Sequence, residues 1–292
     1  MRILITGIAG FIGFHVAREL GKEYDIIGID SMTDFYPVDI KEKRCDILVE
    51  EKKTSGILFE KIQDTDFKYF GKVDFIIHLA AQAGVPFSQQ NPDLTIGNNV
   101  GPTVKIFEYA RKNNIPVIYA SSSSVYEKKS LYALTKSWNE ETAKHYKDVS
   151  SMGLRFFSIY GPYGRPDQVF YKWIDLLSKG KEIQINGSLN QVVRRNFTHI
   201  SDVVGFIKEQ IKFLQNNHGQ YISDVKNANN ISLTKCVGLL ERYMKVKANI
   251  NRGELKDYDP LNVIGRDEGI DGISIEDGLK EITEYLGVYN EK

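Results

Sequence analysis

A chain of 292 residues is long for one simple domain and short for three, so one large or two intimate domains are expected at roughly 100–200 residues each. About 75% of the unfolded surface can be buried at this size, and no covalent staple is required. Thirty-eight Lys and Arg balance 38 Asp and Glu, which argues against nucleic acid or an anionic membrane as the main partner. The cysteines, Cys45 and Cys236, lack metal-ligand spacing, so neither a metal nor a disulfide is expected and a reducing cytoplasm is the simplest setting. MRILITG has no charged region leading into a long apolar stretch, so no signal peptide is expected. Apolar runs such as Phe75 to Leu79 fall far short of the ~20 residues that span a bilayer, and no membrane partner is expected.

In chain order, strands are expected at Arg2–Thr6, Asp25–Ile29, Ile57–Ile62, Val73–Leu79, Ile115–Ala120 and Gly153–Ile159. Helical patterns near Phe11–Leu20, Lys41–Lys53, Asn99–Lys112 and Leu131–Lys147 alternate with them. Continuous apolar strands separated by helices predict a doubly wound α/β fold, a parallel sheet covered on both faces. After Tyr160 the alternation breaks at GPYGRP, a turn-rich stretch. Helical pieces near Gln168–Lys179, Asp202–Gln215, Leu233–Tyr243 and Ile275–Tyr285 then predict a smaller, mostly helical part. The expected division is 1–157, with a return segment about 196–224, against 158–195 and 225–292.

Gly7, Gly10 and Gly13 form GxxGxxG between the first strand and first helix, with Phe11 and Ile12 at the same junction. Such a loop gives a tight turn and a close backbone approach to a pyrophosphate, which the helix N-terminus then meets with unpaired N–H groups. Glycines at strand ends are also common, and the motif gains force from its position. Asp30 ends the second strand, where a carboxylate can accept from an adenosine ribose and repel a 2′-phosphate. Ser31 offers no basic replacement, so NAD is favoured over NADP; the other reading of Asp30 is a turn former. Gln63 and Asp64 end the third strand, where either could bond the adenine.

Tyr132 and Lys136 are spaced i, i+4 on a predicted helix and so share a face. Ten residues before Tyr132, Ser122 ends a buried strand. Tyrosine ionises near pH ~10, too high for a neutral-pH base. A lysine ammonium and a cationic nicotinamide both favour the phenolate. A pair spaced YxxxK is weak alone and strong with the glycine loop, Asp30 and a strand-end serine.

TGIAGFIG, HLAAQAGV, YASSSSVY, YALTK, RFFSIYGPYGRPD and RRNFTHISD resemble the extended short-chain dehydrogenase/reductase superfamily and its NAD-dependent epimerase/dehydratase family. Within it, GIDSMTDFYPVDIKEKR and GPYGRPD are most similar to the UDP-glucuronate 4-epimerases. The resemblance implies a Rossmann domain followed by a substrate-binding domain, a UDP-sugar substrate, a homodimer and a place in polysaccharide biosynthesis. It implies that Ser122 and Tyr132 contact the sugar 4-hydroxyl, and that Lys136 bonds the nicotinamide ribose. Leu79, Ala80 and Ala81 would line the dinucleotide, with Asn99 supporting that wall. Ser123, Ser124 and Ser158 would surround the hexose C6 group; Arg165 and Arg195 would hold the nucleotide half.

Read from the residues alone, Ser123 and Ser124 could equally satisfy a strand end, Ser158 could be an ordinary strand residue, and one of Arg194 and Arg195 is a solvated charge. His78 reads as a packed core histidine and His199 as structural. The sequence departs from the family's pattern in three places. Only Glu127–Leu131 separates SSSSVY from YALTK, where the family carries a longer loop. Pro86 stands where the subgroup commonly has Arg, and Asn251-Arg252-Gly253-Glu254 only loosely matches a second phosphate contact. The expected activity is epimerisation of UDP-glucuronate to UDP-galacturonate through transient oxidation at C4. A UDP-glucuronate decarboxylase, another nucleotide-sugar epimerase or dehydratase, and an inactive NAD-binding module are the alternatives. Ser123 and Ser124, in place of carboxylates, weigh against 4,6-dehydration.

Overall fold

The run Ile3, Leu4, Ile5 is fully buried in the first strand, as befits a strand covered on both faces. The computed structural model describes residues 1–188, 191–258 and 260–289. The first half runs β1 (Arg2–Thr6), α1 (Phe11–Leu20), β2 (Asp25–Asp30), α2 (Val38–Glu50), β3 (Gly56–Phe59), β4 (Phe75–His78), α3 (Val85–Gln90), α4 (Pro92–Asn113), β5 (Val117–Ser122), α5 (Leu131–His145) and β6 (Ser151–Phe156). The second half runs β7 (Ser158–Tyr160), α6 (Val169–Ser178), β8 (Ile183–Asn186), β9 (Arg194–Arg195), β10 (Phe197–His199), α7 (Ile200–Asn216), β11 (Gln220–Val225), β12 (Ile231–Ser232), α8 (Leu233–Met244), β13 (Ile250–Gly253) and α9 (Ile275–Tyr285).

A seven-stranded sheet in the order β11-β6-β5-β4-β1-β2-β3 is flanked by helices. β1 pairs in parallel with β2 on one side and β4 on the other, so the winding reverses beside β1. In sheets of this kind ligands bind beyond the carboxyl ends of the strands at that reversal. The loops after β1, β2, β4 and β5 all leave from that end. Leu4, Ile29, Ile76 and Val117 of the strands pack with Ile106, Phe107 and Ala110 of α4 in the core behind it.

The chain forms two compact units, Met1–Arg155 with Val204–Ser223, and Phe156–Val203 with Asp224–Lys292. The second unit has its own core, in which Phe170, Trp173, Ile174 and Leu177 of α6 meet Leu240 of α8 and Leu279 and Ile282 of α9. Three small two-stranded sheets, β7 with β10, β9 with β12 and β8 with β13, join these helices. Among the described residues no helix is long and apolar enough to cross a membrane.

Besides the strands β8 to β13, none of which was expected, three elements differ from expectation. α4 begins at Pro92 rather than Asn99, because the first turn of a helix accepts a proline that lacks an N–H. The expected strand Gly153–Ile159 breaks at Phe157 into β6 and β7, and β7 leaves to pair with β10. α3, with Pro86 in its first turn, was not expected.

Candidate active site

The glycine loop has the form a dinucleotide requires. Gly7 has φ 72°, and a β-carbon there would lie 2.8 Å from the Ala80 nitrogen. One on Gly13 would collide with the Gly7 carbonyl oxygen, which fixes how closely α1 can follow β1. Gly10 is the N-cap of α1 and contributes no side chain, so the amides from Phe11, Ile12 and Gly13 face the loop without a side-chain cap. These residues fit a pyrophosphate.

Asp30, buried at the end of β2, accepts from Ala9 N at 3.1 Å and from Met32 N at 2.9 Å. Two cations that the sequence reading missed lie at this corner, Lys41 against Asp30 itself and Arg44 against Ala9. Lys41 Nζ sits 3.7 Å from Asp30 Oδ1, and burial pushes its pKa below the ordinary lysine value while Asp30 opposes that shift. Arg44 donates to Ala9 O at 2.9 Å and to the Tyr36 hydroxyl at 2.8 Å. The signal was present, since Lys41 and Arg44 are three apart on a predicted helix after the Asp30 loop. Basic residues reach this corner from α2, although Ser31 itself supplies none. Gln63 is exposed and donates to Gly97 O at 2.8 Å, and Asp64 is exposed beside it.

The opposite wall, Leu79–Ala81, is half-buried. Behind it runs a chain of hydrogen bonds whose directions can be assigned from one end to the other. Ala80 N donates to Thr6 Oγ1 at 3.1 Å, and Thr6 lies 2.7 Å from His78 Nδ1. His78 Nε2 lies 3.1 Å from Thr103 Oγ1, which donates to Asn99 O at 2.8 Å. With Thr103's proton committed, His78 is the Nε2–H tautomer and accepts at Nδ1. Burial lowers its pKa to about 3, consistent with this neutral form. Asn99 is buried, accepting from Gln82 N at 2.7 Å and donating to Gln82 O at 3.1 Å and Thr135 Oγ1 at 3.0 Å. It therefore braces the wall and α5 together.

β5 and α5 carry the candidate reactive side chains, and Lys136 joins the two elements. Ser130 caps α5 by accepting from Ala133 N at 3.1 Å, which fixes the first turn that carries Tyr132. Lys136 Nζ lies 5.9 Å from the centre of the Tyr132 ring and donates to Ala120 O at 3.0 Å. Burial lowers the Lys136 pKa to about 8. Ser122 Oγ accepts from Ser124 N at 3.2 Å and from Ser124 Oγ at 2.9 Å, which leaves its own O–H to donate. Ser123 and Ser124 are half-buried in a single 3₁₀ turn, Ser123–Tyr126. A tyrosine with a lysine at its ring can take a proton from an alcohol, and Ser122 keeps a hydroxyl proton to donate.

The remaining expected residues lie in the second unit. Ser158 is half-buried on β7. Arg165 holds Asp167 through two bonds, at 2.8 and 2.9 Å, within the GPYGRPD turn. Arg195 is half-buried and donates to Arg194 O at 2.8 Å and Leu261 O at 3.2 Å, whereas Arg194 is exposed. His199 is buried, and desolvation lowers its pKa to about 4.

Comparison with known proteins agrees with this geometry. The model of the NAD dependent epimerase/dehydratase family matches residues 3–222. The chain is 36% identical to an uncharacterised protein of Methanocaldococcus jannaschii, covering 97% of this chain and 95% of that one. It is 31% identical to UDP-glucuronate 4-epimerase 2 of Arabidopsis thaliana, covering 99% and 76%. The structure of UDP-glucuronic acid 4-epimerase from Bacillus cereus, in complex with UDP-glucuronic acid and NAD, superposes with a TM-score of 0.90 at 25% identity, covering 98% and 99%. Since the matched segment runs from the glycine loop through α5 and into β11, the chain belongs to the NAD-dependent epimerase/dehydratase family and is an NAD-dependent nucleotide-sugar enzyme of the epimerase type.

Proposed function

We propose that the protein is a UDP-glucuronate 4-epimerase that forms UDP-galacturonate. The observation that carries this reading is Lys136 placed at the Tyr132 ring and bonded to Ala120 O of β5, two residues before Ser122, with the hydroxyls of Ser123 and Ser124 next in the chain. The names of its relatives support the acid sugar. Bound NAD supplies the hydride acceptor at C4 and the source of its return. Tyr132 takes the 4-hydroxyl proton, and Lys136, over its ring, favours the phenolate. Ser122 donates to the same oxygen and polarises it as the carbonyl forms. Tyr132 then returns the proton when the other face of C4 is reduced, so no second substrate is consumed.

Once C4 is a ketone, the C5 carboxylate belongs to a β-keto acid and can leave as CO₂. An epimerase must hold that carboxylate out of alignment with the carbonyl. Ser123 and Ser124 are the groups of the first unit assigned to it, each hydrogen bond worth ~1 kcal/mol. Arg165 and Arg195 are assigned to the diphosphate, where a guanidinium fork suits phosphate oxygens. Phe11, Ile12, Asp30, Gln63 and Leu79–Ala81 are assigned to NAD in the first unit. Decarboxylation is the second reading, since it shares the oxidation step; Pro86 and the short Glu127–Leu131 link bear instead on how strictly the acid sugar is selected.

We further propose a homodimer formed through α4 and α5. Leu94, Val104, Leu134 and Trp138 are exposed at 55, 38, 38 and 47% on these two helices. The test of function compares UDP-glucuronate, UDP-glucose and UDP-N-acetylglucosamine at equal concentration, with products resolved by NMR. UDP-galacturonate as the fastest product is expected. Faster turnover of a neutral sugar would overturn the substrate, and a UDP-pentose product would overturn epimerisation in favour of decarboxylation.

A further inference from the structure

Tyr132, Lys136 and Glu140 are spaced i, i+4, i+8 on α5, so they form one stripe along the helix. The first two are accounted for above; Glu140 is not. Its carboxylate is buried and accepts from Ser121 Oγ at 2.5 Å. Arg155, on β6, donates to both of its oxygens at 2.8 Å. The remaining arm of Arg155 donates to the Tyr126 hydroxyl at 3.0 Å, and its guanidinium lies 4.8 Å from the Tyr126 ring centre. The side chains of Arg155 and Glu140 are only 12% and 7% exposed.

The placement of these bonds is what gives them meaning. Successive turns of α5 hold successive residues of β5: Lys136 takes the Ala120 carbonyl and Glu140 takes the Ser121 hydroxyl. The next residue is Ser122. On the far side, Tyr126 closes the 3₁₀ turn that begins at Ser123, and Arg155 holds it. The turn carrying the reactive serine is thus clamped at both ends by one buried ion pair. A buried ion pair stabilises a fold little better than apolar residues of the same volume, because desolvation offsets its attraction. What apolar residues would not reproduce is direction, the fixed distance of Ser121 and Tyr126 from the helix that bears Tyr132.

We propose that Glu140 and Arg155, acting through Ser121 and Tyr126, are positioning residues that set Ser122 against Tyr132 for the C4 proton transfer. This rests on the epimerase reading, and its loss would appear in turnover rather than in cofactor or substrate binding. A displacement of about 1 Å in a catalytic group costs on the order of 100-fold in rate.

The experiment compares the parent enzyme with the double variant Glu140→Met/Arg155→Met and with Tyr126→Phe, which keeps the ion pair and removes one anchor. Melting temperature, NAD affinity by calorimetry, kcat and KM are measured for each. The double variant should melt at or above the parent temperature, while kcat falls at least about tenfold and KM and NAD affinity stay within about twofold. Tyr126→Phe should lower kcat about threefold with an unchanged melting temperature, which keeps the test decisive if the double variant does not fold. A parent-like kcat in Tyr126→Phe or in a folded double variant overturns the inference and leaves the epimerase reading standing. A parent without turnover on any nucleotide sugar overturns both.

Discussion

Lys136 is the residue at which stability and activity pull apart. Its ammonium is buried, bonded to one carbonyl, and its pKa falls from 10.5 to about 8 through desolvation. A lysine depressed in the folded state costs stability wherever both states are charged. Below pH 8 that cost is constant, and between 8 and 10.5 only the unfolded chain keeps the proton, so stability rises with pH. The slope is about 1.4 kcal/mol per pH unit. Lys136→Met removes the cost throughout. Its stability advantage over the parent, read from denaturant midpoints without cofactor, should therefore hold from pH 7 to 8 and shrink from pH 8 to 10. An advantage that does not shrink would show that Lys136 is not desolvated as described. The pairing of Tyr132 with Lys136 was legible in the sequence because i, i+4 spacing is local. Glu140 continues the same stripe, but its partners Ser121 and Arg155 are 19 and 15 residues away, and only the sheet brings them together. Lys41 differs, because its spacing from Arg44 on a predicted helix was a visible signal and only its 3.7 Å approach to Asp30 depends on the path of the intervening loop.

At the scale of elements, α4 and α5 carry the assembly claim. Leu94 and Val104 on α4 are ten residues apart, with Gly97 and Gly101 between them at positions whose β-carbons would meet nothing within 4 Å. That spacing, three, four and three, places all four on one side of the helix and lets another backbone approach closely. With Leu134 and Trp138 on α5 they form the kind of apolar face that a two-fold copy covers. Light scattering at micromolar concentration should give a dimer for the parent and a monomer for Leu134→Glu/Trp138→Glu. A monomeric parent would contradict the proposal. Strongly apolar elements such as β1 and β4 were readable because their burial is written in every residue. The first turns of α4 were not, because Asp93, Thr95 and Gly97 carry little helical signal and tertiary context decides them. The break between β6 and β7 was hidden for another reason: β7 exists only through its pairing with Phe197–His199, far along the chain.

For the whole molecule, the first unit combines a glycine loop, a capped α5 and a braced wall, the parts proposed above to serve NAD-dependent oxidation of an alcohol. The second unit was legible as helices but not as three small two-stranded sheets, whose strands are only two to four residues long and lack any period of their own. The central claim is that one C4 hydrogen leaves and returns within a single substrate. UDP-glucuronate carrying deuterium at C4 tests this most directly, with the product examined by NMR. The account predicts UDP-galacturonate that keeps the deuterium at C4, with no added NAD consumed. Product that has lost the label to solvent, or a labelled UDP-pentose with CO₂ released, would contradict it.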